Sequence, residues 1–309
     1  MMTIESWVFI LGAPRSGTTW TQLLLSQHPE VTTCPESHLL DGYLAPLHDR
    51  VRWERDRDMT GLTSVLAPGE VDDLLHGFAE SVLESITSRS SAGTRVFVEK
   101  TPQNALYPDL LAEHFPDANF LHVIRDPRDV VASLLAASRT WASEWAPSGP
   151  VGAANLWVRH VRGVRRLRHD ARSYREIRFE DLKTDTEAEL AKLHEWLDLP
   201  SDAAGRRGTV QACGLDRLRR APEEFEALPE KVHRNAARFF RKGESKKRAL
   251  TASERGAVER IADKYMEELG YGRTGDGRAR GAMRVLASRV LRRAAGSLEY
   301  RLSALSDRL

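Results

Sequence analysis

The sequence predicts a three-layer α/β fold, with a mostly parallel central sheet of four or five strands flanked by helices. Three observations carry this. Short strand-like runs at 8–11, 95–100, 119–124 and 174–179, the first of them wholly apolar, have the length of strands. Amphipathic stretches with helical spacing lie between and after them, at 70–86, 153–169, 186–197 and 251–269. The first apolar run passes through a loop with a glycine at each end, 12–17, directly into a helical stretch.

That loop is suited to an anion. Gly12 and Gly17 permit positive φ and close backbone approach, and the free amides of the following helix point into the loop. Ser16, Thr18 and Thr19 add hydroxyls, and Arg15 adds a fixed positive charge. The glycine spacing is that of a Walker A loop, which makes the fold P-loop-like. Thr18, however, stands where the phosphate-gripping lysine belongs. The missing lysine counts against hydrolysis of ATP or GTP.

Further along, Pro29 ends the first helical pattern and 31–34 is a short β-like run. Glu36 follows on a loop. The 41–68 segment is polar and irregular, fitting either a substrate-facing loop or short helices, or a solvated surface. Val71, Leu74, Leu75, Phe78, Val82, Leu83 and Ile86 then form a core-facing stripe on one helix. The 95–100 strand ends at Glu99 and Lys100, and parallel sheets place ligands at such strand ends. Residues 104–115 read as a helix.

The 119–124 strand runs into Arg125, Asp126 and Pro127, where Asp126 can cap and Pro127 can start a helix. Ser133 lies about two turns along that helix, so its hydroxyl and the Arg125 guanidinium can close on one anion. Asp126, Arg128 and Asp129 read as capping or surface residues. Trp141 and the turn-rich stretch to Pro150 can shape an acceptor pocket. The basic 153–169 helix has a solvated arginine face. Residues 198–231 read as loops with short helices, where specificity is often built.

The stretch Pro14, Arg15, Ser16, Gly17, Thr18, Thr19 and Trp20 resembles the 5′-phosphosulfate loop of sulfotransferases that use PAPS (3′-phosphoadenosine 5′-phosphosulfate). The 125–134 segment resembles, almost letter for letter, the family's 3′-phosphate motif. The layout is closest to the carbohydrate and tyrosylprotein types. The resemblance implies cofactor contact by Arg15, Ser16, Gly17, Thr18, Thr19, Trp20, Arg125 and Ser133, and by Arg241, Lys242 and Gly243 of a late Arg-Lys-Gly motif. It also implies catalytic roles for Glu36 as base and for Arg15 and Lys100 as stabilisers of charge.

Two departures matter. Histidine-dependent small-molecule sulfotransferases carry their base two residues after the lysine, where this chain has Pro102. This strengthens Glu36 and leaves Glu99 as the second candidate base. Phe179 stands where the family usually has tyrosine, so no hydroxyl role carries over.

A composition 41% hydrophobic and 29% charged fits a globular chain with a sizeable core, and a net charge of +2 does not call for nucleic acid. The N-terminus lacks the features of a signal peptide. The two cysteines, far apart, fit a reducing compartment. The expectation is a cytoplasmic protein, and its Ala- and Arg-rich composition is bacterial in character. One domain is expected over 1–272, then a linker and a basic amphipathic helix within 273–309. Three roles are open to that helix: peripheral membrane contact, pairing with a second copy, or packing on its own domain.

The expected reaction is in-line transfer of the sulfuryl group of PAPS to an acceptor hydroxyl of a sugar, lipid or natural product, leaving PAP (adenosine 3′,5′-bisphosphate). Sulfuryl carries less negative charge than phosphoryl, so the transfer does not require a metal, and no His or carboxylate cluster with metal-ligand spacing is legible in the sequence. The alternatives are a P-loop nucleotide kinase and a non-catalytic nucleotide-binding or membrane-adaptor protein.

Overall fold

Val8, Phe9, Ile10 and Leu11 are all buried, and the strand period of two explains why the whole run is apolar. Val8 and Ile10 face one side of the sheet and Phe9 and Leu11 the other, and helices cover both sides. The computed structural model describes residues 4–88, 90–91, 93–240 and 250–273. The expected sites at Arg241, Lys242 and Gly243 lie outside the described residues, as does the chain from 274 onward with its expected helix.

Five strands form one parallel sheet: β1 (Ser6–Leu11), β2 (Val31–Thr33), β3 (Val96–Glu99), β4 (Asn119–Ile124) and β5 (Ser173–Arg178). Their order is β2-β3-β1-β4-β5. In register, Val8 pairs with Val98, and Ile10 with Leu121. The central strand β1 therefore has β3 on one side and β4 on the other. The chain turns opposite ways from it, creating the crevice at the carboxyl ends of the strands where such sheets hold ligands. Lys100 and Arg125 each follow directly on one of the flanking strands.

On one face Val8, Ile10, Val98 and Leu121 pack with Leu23, Leu24 and Leu190. On the other, Phe9, Phe97 and Phe120 pack with Leu40, Leu83 and Val164. Trp157, on the Pro150–Asp170 helix, is fully buried and its indole N–H donates to the carbonyl of Arg125 at 3.0 Å. This contact fixes the end of β4.

The structure corrects two local expectations. The 104–115 helix is two pieces, a 3-10 turn at Pro102–Leu106 and a helix at Pro108–His114, because Pro108 disfavours helical geometry at Tyr107. On the Pro68–Thr87 helix, Leu74 and Phe78 are exposed. The buried stripe runs through Val71, Leu75, Ala79 and Leu83, four residues apart, since the helix meets the body along a narrow line. In the 41–68 segment the helical reading holds, at Leu40–Leu44, Ala45–Arg57 and Leu62–Val65.

Candidate active site

The loop after β1 has three left-handed residues, Gly12 (φ 156), Arg15 (φ 74) and Gly17 (φ 100). A Cβ on Gly12 would lie 2.5 Å from the Val123 carbonyl oxygen, and one on Gly17 would lie 2.2 Å from the Phe179 ring. Both glycines are thus required by conformation and by space. Gly17 opens the Thr18–Leu25 helix with no side-chain cap, leaving its first amides directed at the loop. Ser16 and Thr18 are buried beneath it.

The left-handed turn at Arg15 directs its side chain toward the β4 side. Arg15 Nε donates to Ser133 Oγ at 3.1 Å and Nη2 donates to the Phe239 carbonyl at 2.8 Å. Its guanidinium stands 4.2 Å from the centre of the Phe239 ring and 5.4 Å from that of Trp141. Arg125 Nη1 donates to the Arg15 carbonyl at 3.1 Å, and its guanidinium lies 4.5 Å from the Phe179 ring. Arg125 Nε is buried with no acceptor. Arg15, Arg125 and Ser133, spread over 118 residues of sequence, thus meet at one end of the crevice.

Asp126 caps the Pro127–Ser138 helix by accepting from the Arg128 amide at 2.8 Å. Arg128 reaches on to Glu259 at 3.1 Å, so it ties this corner to the Ala252–Glu268 helix. These residues build the frame. Phe179 packs by its ring alone, closing over Gly17 and against Trp20, with ring centres 5.9 Å apart. The Trp20 indole is held by the Cys213 carbonyl at 3.0 Å.

At the other end, Lys100 is buried and its ammonium donates to Glu36 Oε1. The loop bearing Glu36 is tied down by Gln22, which donates to Thr33 Oγ1 at 2.7 Å and to the Cys34 carbonyl at 2.8 Å. Glu36 Oε2 lies 3.7 Å from His38 Nε2, and His38 Nδ1 meets the Asp41 carboxylate at 3.0 Å. His38 is itself left-handed, with φ 50, an uncommon backbone conformation for a residue with a side chain.

Glu99 faces a different set of partners. Its carboxylate accepts from Ser37 Oγ at 2.8 Å, Thr101 Oγ1 at 2.6 Å, the Thr101 amide at 3.2 Å and Asn104 Nδ2 at 2.6 Å. Burial pushes its carboxyl above the usual range, against the pull of these hydrogen bonds. It is 2% exposed.

One cavity of about 660 Å³ joins the two ends, with Arg15, Arg125 and Ser133 on one wall and Glu36 and His38 on another. Trp141 and Trp145 also line it. Lys100 forms no part of the wall and reaches the cavity through Glu36. The sequence reading missed His38, Asp41 and the Phe239 carbonyl. The first two had a signal in their spacing from Glu36, although a histidine followed three residues later by an aspartate is too common to select. The carbonyl had none.

The profile of the Sulfotransferase family matches residues 7–203. Nodulation protein NoeE of Sinorhizobium fredii is 30% identical over 135 residues, 43% of this chain and 31% of that protein. Protein-tyrosine sulfotransferase A of Caenorhabditis elegans is 25% identical over 209 residues, 63% of this chain and 50% of that protein. The chain therefore spans half or less of the length of these curated relatives. Among solved structures, a sulfotransferase domain from the curacin biosynthetic pathway matches with a TM-score of 0.56 at 18% identity, covering 88% of this chain and all of that one. Mouse sulfotransferase SULT7A1 complexed with PAP matches with a TM-score of 0.56 at 14% identity, covering 85% of each chain. At these identities the likeness to solved structures is one of fold. No helix among the described residues is long and apolar enough to cross a membrane.

Proposed function

The chain belongs to the sulfotransferase family, and on that premise we propose that it moves the sulfuryl group of PAPS to an acceptor hydroxyl, leaving PAP. The observation that carries the reading is the single cavity with guanidinium and hydroxyl donors at one end and the Lys100–Glu36 pair at the other. Arg125, Ser133 and Arg15 would hold the 3′-phosphate end. The helix amides after Gly17, with Ser16, Thr18 and Thr19, would hold the 5′ end, with Trp20 and Phe179 packed alongside. Arg241, Lys242 and Gly243 would complete the cofactor contacts.

Glu36 is the base in this mechanism. It takes the proton of the acceptor hydroxyl as the new oxygen–sulfur bond forms and the bond from sulfur to the phosphate oxygen breaks. Lys100, which lies behind Glu36, would stabilise the negative charge that collects on the departing oxygen once Glu36 has taken the acceptor's proton and released it. Arg15 would help to hold the developing charge and would anchor the nucleotide from the loop, and its bonds to Ser133 and the Phe239 carbonyl support the anchoring part. Asp41 orients His38 so that Nε2 faces Glu36, ready to receive the proton that Glu36 has accepted. Glu99 is fully engaged by Ser37, Thr101 and Asn104 and holds the loop in place.

The acceptor we propose is a hydroxyl on a sugar, lipid or natural product, since Trp141 and Trp145 offer the cavity flat apolar faces. A bacterial, cytoplasmic setting fits the composition and the two free thiols, Cys34 and Cys213. The 273–309 tail would add membrane-surface contact or pairing of two copies.

Calorimetry with PAP and with ATP·Mg²⁺, followed by transfer of labelled sulfate from PAPS into cell extracts, tests the reading. PAP is expected to bind and ATP·Mg²⁺ to bind far more weakly, and tight ATP binding would overturn the assignment. PAP binding without transfer to any acceptor would instead favour a non-catalytic nucleotide-binding protein. Glu36→Gln is expected to lower turnover by about 10²–10⁴-fold with PAP affinity retained.

A further inference from the structure

Three helices from separate parts of the chain bring three histidines together away from the cavity. His48 lies on Ala45–Arg57, His76 on Pro68–Thr87 and His114 on Pro108–His114. His48 Nε2 and His114 Nε2 are 2.8 Å apart. The His76 ring stacks on His114 with centres 5.6 Å apart and planes 16° from parallel. Glu113 offers a carboxylate oxygen, and the donor atoms of His48, Glu113 and His114 all lie within 4.8 Å of one another.

We propose that His48, His114 and Glu113 form a binding site for a divalent transition-metal ion of the zinc class, independent of the sulfuryl-transfer site. Two imidazoles and a carboxylate are the donor set that zinc prefers over magnesium or calcium, which take oxygen ligands. Two facing Nε2 atoms compete for a single shared proton, and a cation in its place satisfies both lone pairs. A tetrahedral ion about 2.0–2.1 Å from each nitrogen needs them about 3.3 Å apart, so the site opens by only a fraction of an ångström to take it. His114 is buried and its Nδ1 has no partner, so the ring is held by packing with Nε2 presented to His48. Glu113 is exposed and gives the ion an entry side.

The site would act as a staple. His48 stands on the helix that continues directly from the Leu40–Leu44 turn, which bears Asp41. Glu113 and His114 stand on the helix that leads toward β4. A metal between them fastens the outer helical segment to the sheet-bearing body.

Tag-free full-length protein, stripped with chelator and returned to plain buffer, is titrated with Zn²⁺ and Mg²⁺ by calorimetry and with Co²⁺ by visible absorption. One equivalent of Zn²⁺ is expected, with a tetrahedral Co²⁺ spectrum, no Mg²⁺ binding there, and a melting temperature raised by about 5 °C at a hundredfold excess over Kd. His48→Asn and Glu113→Gln are each expected to weaken Zn²⁺ binding at least about tenfold while PAP affinity stays unchanged. Glu113 is exposed, so its variant remains informative if His48→Asn folds poorly. Absence of stoichiometric Zn²⁺ binding, equal competition by Mg²⁺, or undiminished binding in Glu113→Gln would each overturn the proposal.

Discussion

At the Arg125 end of the cavity the guanidinium groups rest against a hydroxyl, backbone carbonyls and aromatic faces with the Asp129 carboxylate at their edge, whereas at the Lys100 end the ammonium is paired directly with the Glu36 carboxylate. Arg15 has Ser133, the Phe239 carbonyl and two rings as neighbours, and Arg125 has the Arg15 carbonyl and the Phe179 ring. Arg125 is also ion-paired with Asp129, Nη2 to Oδ2 at 3.9 Å. Lys100 instead is ion-paired with Glu36, beside which His38 Nδ1 is hydrogen-bonded to the Asp41 carboxylate. A guanidinium carries several N–H donors, so it can receive an anion with some of them while the others keep their partners. A buried ion pair must exchange one, so charge at that end is redistributed only as the reaction proceeds.

The largest effect is expected from breaking the paired end. Lys100→Met leaves Glu36 without its cation and removes the group proposed to meet the departing oxygen. Turnover is expected to fall about 10³-fold, with PAP affinity changed by less than about tenfold. Single-turnover transfer and calorimetry on the same preparation measure both, and an equal loss in affinity would erase the distinction between the ends.

The next effect belongs to the other end. Arg125→Leu removes charge-assisted hydrogen bonds, each worth about 1.5–3 kcal/mol, so PAP affinity should drop about 10–100-fold. Ser133→Ala removes a neutral donor worth about 1 kcal/mol, and about a fivefold loss is expected. Because Ser133 also holds Arg15, the Arg15→Ala and Ser133→Ala pair should be less than additive in a double-mutant cycle.

Gly17→Ala tests the hinge between the ends. The alanine must adopt φ 100 and its Cβ would run into the Phe179 ring. A stability loss of about 1–3 kcal/mol is expected from denaturant melts. Adding Phe179→Ala should relieve the collision and leave the backbone strain, so recovery should be partial.

The smallest effect lies away from both ends. Burial holds the His160 and His194 rings down to about 4, well under the ordinary value. In the unfolded chain they protonate near the usual histidine pKa of about 6.5. Between those values the unfolded state binds more protons, so stability should fall as pH drops from about 6.5 toward 4. His160→Gln should flatten part of that slope in urea melts at stepped pH. A slope unchanged by the substitution would remove His160 from the account.

Much of this was legible in sequence because it is local. The 12–17 loop, the strand ends at Lys100 and Arg125 and the cap at Asp126 depend on neighbours within a few residues. The fold class followed from the same runs. The broken 102–114 segment was misread because helical spacing outweighed Pro108, and the exposed Leu74 and Phe78 were misread because an apolar stripe does not reveal how wide its contact will be.

The sequence by itself determined that the chain carries an anion loop without a Walker lysine, followed in order by a lysine and an arginine at strand ends, because these are patterns of adjacent residues. Tertiary structure alone decided which of them share a wall. Arg15 turns to Ser133, 118 residues away, through a left-handed φ that no residue type announces. Phe179 closes over Gly17 because β5 lies beside β4. His48 meets His114 because two helices far apart in the chain pack against the same side of the body. Such meetings arise from the order of strands in the sheet, and a linear pattern holds no record of that order.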